Sequence, residues 1–160
     1  MGLVRDEAVA AISNHDRLRP LEWLVGEWVD EIRAGRVKTS CRWSDDGNFL
    51  LQDMEVHIAG VSAMRVTQRI GWDPLAKRIR SWVFDSEGGF GEGHWTLTAD
   101  GWVIKSTAVQ SDGTTASATN FLVPLSRDAN VWRSVDRVMG DAEAPTIEVR
   151  VVRQPPEPGK

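Results

Sequence analysis

From Glu27 to Arg153 apolar and polar residues change places at every second position in runs of strand length. Trp28, Asp30 and Ile32 share one face of a first strand, and Val37, Thr39, Cys41 and Trp43 share one face of a second. On a third, Leu50, Gln52, Met54, Val56 and Ile58 oppose Asp53, Glu55 and His57. On a fourth, Met64, Val66, Gln68, Ile70 and Trp72 oppose Arg65, Thr67 and Arg69. Further runs over residues 78–85, 89–98, 102–110, 114–125, 131–139 and 146–153 bring the total to ten strands. Asp46-Gly47, Asp100-Gly101 and Asp112-Gly113 supply hairpin chemistry between them. No connection is long enough to hold a crossover helix, so neighbouring strands run antiparallel.

Only the N-terminus breaks this rhythm. Leu3, Val4, Ala8, Ala11 and Ile12 follow helical spacing and predict a short amphipathic helix that ends near Ser13 and Asn14. Pro20 opens a tighter turn in which Leu21 and Leu24 pack down before Gly26 releases the backbone from helical geometry. Residues 1–20 therefore form a helix and lead-in, 21–154 the sheet, and 155–160 a disordered tail. A flat meander of ten strands would leave two unpaired edges and a bare apolar face, with few N-terminal residues to cover it. Closure removes both problems, and Gly91 and Gly93 on the sixth strand permit the bending it requires. The expected fold is all-β, a closed antiparallel up-and-down barrel of about ten strands with a short N-terminal helix.

Gly26-Glu27-Trp28, entered from a tight helical turn, resembles the Gly-x-Trp opening of the lipocalin and calycin superfamily. That resemblance implies that Trp28 points inward and closes one end of the barrel, and that a basic residue late in the last strand, Arg150 or Arg153, packs over it. The set Leu21 to Trp28, Ile70-Gly71-Trp72-Asp73-Pro74 and Arg80-Ser81-Trp82 is similar to an uncharacterised bacterial lipocalin-like family over residues 21–153. The family has no established activity. Ten-stranded haem-binding relatives use a histidine near the C-terminal end, and this chain has none after His94.

The chain is long enough for one domain with a continuous core: 160 residues, 41% of them hydrophobic. A formal net charge of -4, with no segment that concentrates Lys and Arg, argues against nucleic acid and against an anionic membrane as partners. The single cysteine, Cys41, excludes an internal disulfide and suits a reducing compartment. Residues 1–15 carry no long apolar stretch, which makes the cytoplasm the expected location, or the exterior if a signal peptide has been trimmed away. Eight tryptophans without one tyrosine point first to core and barrel-end packing.

With Trp28 inward, the alternation puts Asp30, Gln52, Gln68, Ser106, Asn120, Ser134 and Asp136 on faces otherwise filled by residues such as Leu50, Met54, Ile70 and Ile104. An unpartnered buried polar group costs about 1–3 kcal/mol, so these groups bond to one another and to water, or they line a cavity for a ligand. The cavity reading makes Gln52, Met54, Gln68, Arg80, Trp82, Ser106, Asn120 and Ser134 ligand-binding residues for a small apolar or amphipathic molecule. A second reading makes the chain a cofactor-independent cyclase, isomerase or hydrolase, with His94, Glu92 and Asp136 as proton-transfer groups in the same cavity. A third makes it an interaction module whose outward tryptophans pair it with itself, as a homodimer, or with another domain. Asp53, Glu55 and His57 read as a solvated strand face, without the convergence a metal needs, and Cys41 as an inert mid-strand thiol. No metal or cofactor is called for.

Overall fold

The structure is a computed structural model that describes residues 12–32 and 35–155. The helix expected from Leu3 to Ala11, the turn residue Ala34 and the tail from 156 lie outside the described residues. Ser13 starts a helix: its hydroxyl accepts the Asp16 N–H at 3.1 Å and caps helix α1, Asn14–Leu18. A 3-10 turn, Arg19–Leu24, follows with Pro20 in its first turn.

The strands are β1 Gly26–Ile32, β2 Gly35–Trp43, β3 Phe49–Ile58, β4 Val61–Asp73, β5 Arg78–Asp85, β6 Phe90–Leu97, β7 Trp102–Val109, β8 Thr115–Ser126, β9 Ala129–Met139, β10 Ala142–Ala144 and β11 Ile147–Arg153. Each pairs antiparallel with its sequence neighbour from β1 to β9, and β11 joins β9 to β1, so ten strands close into a barrel. The short β10, in a stretch expected to be only a turn, pairs with the far half of β9. It continues the line of β11 after an interruption at Pro145 and Thr146, where proline has no N–H for the ladder.

Closure sets Trp28 directly opposite Arg153. The Trp28 side chain is 2% exposed, and its indole N–H donates to the Leu24 carbonyl at 2.8 Å. The Arg153 guanidinium lies 4.2 Å from the centre of that ring and donates to the carbonyls of Val25 at 2.7 Å, Trp23 at 2.8 Å and Arg127 at 3.0 Å. Of the two basic residues the resemblance offered, Arg153 is therefore the one that covers Trp28. Gly26 is obligatory beside it: its backbone sits at φ +130, and a Cβ there would collide with the guanidinium.

The core occupies this end of the barrel. Leu18 and Leu21 are fully buried and pack with Leu24, Leu50, Ile70, Ile79, Trp95 and Trp102. His15 stacks on Trp43 at 4.1 Å and Arg17 lies 4.5 Å over Trp72, which seats α1 across the opening. All the tryptophans except Trp82 are buried at or packed against this plug. We expect Arg153→Met to lower the unfolding free energy by about 2–4 kcal/mol, because it removes the ring contact and strands the carbonyls of Trp23 and Val25. Urea denaturation followed by circular dichroism would show this as a fall in midpoint with an unchanged slope.

Candidate functional site

Directly opposed residues in antiparallel strands share a face, so the register sorts inside from outside. One inward row runs Trp43, Leu50, Ile70, Ser81, Gly93, Ser106, Ala118. A second runs Cys41, Gln52, Gln68, Val83, Gly91, Ala108, Ala116. The inward positions nearest the plug are sealed. Toward the opposite end they are not: Asp30, Val37, Thr39, Met54, Val56, Val66, Gln68, Val83, Ser106, Ala108, Ala116, Ala118 and Asn120 all keep partial solvent exposure despite facing the barrel axis. Small residues along β6, β7 and β8 leave the space that larger side chains fill at the plug. The inward positions are thus packed at the α1 end and remain partly open to solvent toward the other.

Several sequence-derived residues meet on this wall. Gln68 donates from its amide nitrogen to the Gln52 carbonyl oxygen at 2.5 Å, and Gln52 lies opposite Cys41. Burial pushes the Cys41 thiol up to about 12, so it stays protonated. Asn120 donates to the Ser106 hydroxyl at 3.1 Å, while its Oδ1 is shielded from solvent and has no partner. Ser134 lies opposite Asn120 and is 2% exposed. Met54 faces inward one step along β3 from Gln52. Ser81, not selected from the sequence, accepts the Trp95 indole N–H at 2.9 Å and ties the polar wall to the core.

The other candidates lie elsewhere. Arg80, Trp82, Glu92 and His94 occupy the outer face of β5 and β6, because the inward phase belongs to Ile79, Ser81, Val83 and Trp95. Arg80 donates to Glu92 and, at 3.3 Å, to Asp73, and its guanidinium lies 5.6 Å over Trp82. The Ala76 N–H foremost, with the Leu75 N–H and Arg80, holds the Asp73 carboxyl below the usual range. Acid, base, cation and aromatic do gather, but on the outside wall rather than in the cavity. Asp136 is also displaced. Its backbone takes φ +50 at a bulge where β9 shifts register against β8, and its side chain is exposed. The outer wall has its own concavity, an open groove of about 560 Å³ lined by Trp82, Phe84, Phe90, Glu92, Thr107 and Ser117, among others. Phe84 and Phe90, paired across β5 and β6, remain 55% and 53% exposed there.

Among the described residues Asp30 is the inward carboxylate set in an apolar patch. It lies opposite Val37 on β2 and Val151 on β11, two residues from Trp28. Burial raises its pKa above the ordinary carboxylate range, only partly offset by its own backbone N–H. The sequence showed Asp30 on an apolar face, but its aliphatic neighbours come from long-range register.

Among the described residues no three His, Cys, Asp or Glu side chains are grouped to hold a metal ion, and no helix is long and apolar enough to cross a membrane. Compared with protein-family models and with curated proteins, the chain matches none.

The raised Asp30 pKa fixes the sign of its effect on stability. The folded state holds the proton more tightly than the unfolded state, so the ionised carboxylate costs stability above its folded pKa. That cost disappears below the unfolded pKa. Asp30→Asn is therefore expected to raise the thermal midpoint at pH 7 to 8, and the gain should shrink to nothing as the pH falls through the ordinary carboxylate range. Scanning calorimetry at a series of pH values measures it.

Proposed function

We propose that the chain is a lipocalin-like binding protein that takes a small, partly apolar molecule into the open half of its barrel. The observation that carries this reading is the run of inward side chains that stay partly exposed beyond a sealed plug. A barrel built only for stability fills its interior with side chains, whereas this one is filled at one end and left open at the other. The wall of the open half combines aliphatic Val56, Val66 and Val83 with amide and hydroxyl groups of Gln68, Ser106 and Asn120, and the buried Gln52 backs Gln68. Apolar lining with a few convergent polar groups is the usual make-up of a small-molecule site. The unpartnered Asn120 Oδ1 is a ready point of attachment.

The enzyme reading needed His94, Glu92 and Asp136 in this cavity, and their outward placement favours the binding role. Barrel closure and the Arg153 cover on Trp28 support the lipocalin-like assignment.

The neutral dye Nile red should enter the chamber with a saturable rise in fluorescence. Ala118→Phe, which fills space opposite Ser106, should abolish that rise, while Gln52→Ala and Asn120→Ala should each change the dissociation constant by roughly threefold to tenfold, the effect of one lost hydrogen bond. Unaltered binding in all three variants would remove the chamber as the site.

A further inference from the structure

Resting on the reading of the barrel interior as a ligand chamber, we infer that its ligand carries a protonated amine, with Asp30 as the counter-ion and the aliphatic wall around it receiving the apolar remainder. Asp30 is on β1 with its side chain on the chamber face, where Val37 and Val151 flank it from both neighbouring strands. Burial of its carboxyl is offset in part by its own backbone N–H, and among the described residues by no cationic side chain. An ionised carboxylate set among valines is poorly solvated, and a ligand cation compensates it where a neutral group does so less and an anion not at all.

Among the described residues the inner wall supplies no rival cation for this role. Arg153 shares the inward phase, but it lies over Trp28, bound to the carbonyls of Trp23, Val25 and Arg127 and paired with Asp128 at 3.2 Å. Lys38 lies opposite Val29 and so belongs to the outer face. Near the rim, Arg137 donates to the Pro145 carbonyl. Cys41 is held neutral, and the remaining polar groups of the wall are amides and hydroxyls. A second carboxylate, Asp85, stands opposite Val66 at the open end and accepts the backbone N–H groups of Glu87 and Gly89. Among the described residues Asp30 is thus the ionisable side chain that faces the interior without being committed elsewhere, and Asp85 gives the entrance the same sign.

The test displaces Nile red at pH 7.5 with three molecules that share one chain and differ in the head group: octylamine, octanol and octanoate. Octylamine should compete roughly tenfold better than octanol, the size expected of a hydrogen bond to a charged group, and octanoate should be the weakest. Asp30→Asn should bring octylamine to parity with octanol without changing the octanol value, and Asp30→Glu should restore the preference. If octanoate matches octylamine, or the amine preference survives Asp30→Asn, the inference is overturned while the chamber stands, since Ala118→Phe still blocks the dye. If Ala118→Phe leaves dye uptake unchanged, the chamber and this inference fall together.

Discussion

The seam between β1 and β11 is the constraint on which the molecule depends. Every other barrel pairing but one is a hairpin between consecutive strands, which forms locally. The seam instead brings the first strand against the last, and only then does the sheet lose its edges and gain an inside. Arg153 makes this joint specific. One side chain covers the Trp28 ring, ties off carbonyls of the 3-10 turn and pairs with Asp128 before β9. It therefore couples the plug, the seam and the loop between β8 and β9 in a single geometry, and Gly26 exists to admit it.

A plug at one end determines what the other end can be. Leucines of α1 and the 3-10 turn, together with most of the tryptophans, concentrate the apolar burial near the closed opening. With stability drawn from there, the far half of the wall is free of the need to be packed, and it carries small residues on β6 to β8 and polar groups on β3, β4 and β8. The division of labour runs along the barrel axis rather than between domains, with rigidity and accessibility at opposite ends of the same strands.

Much of this was legible in the chain. Strand number, antiparallel order and closure follow from clean alternation and well-placed hairpin residues, and the inward assignment of Gln52, Met54, Gln68, Ser106, Asn120 and Ser134 follows from the same period. Asp136 could not be placed this way, because a single residue in left-handed geometry shifts the phase of β9 and period-two counting has no sign for it. Arg80, Trp82, Glu92 and His94 were open to a correct reading, since Ile79, Val83 and Trp95 set the inward phase beside them, but the aromatic character of Trp82 and Phe84 masked it. Ser13-Asn14 suits either end of a helix, and the hydrogen bond to Asp16 shows that it starts one. The isolation of Asp30 depends on Val151, a partner at the far end of the chain, and no local pattern reveals it.

The seam also has a consequence for biosynthesis. β11, with Arg153, leaves the ribosome after every other barrel strand, so the indole of Trp28 and the inner face of nine earlier strands must wait, uncovered, until it emerges. During that interval the nascent chain is an open, sticky sheet, and its yield in a cell is governed by how well chaperones shield it as much as by the stability of the finished barrel.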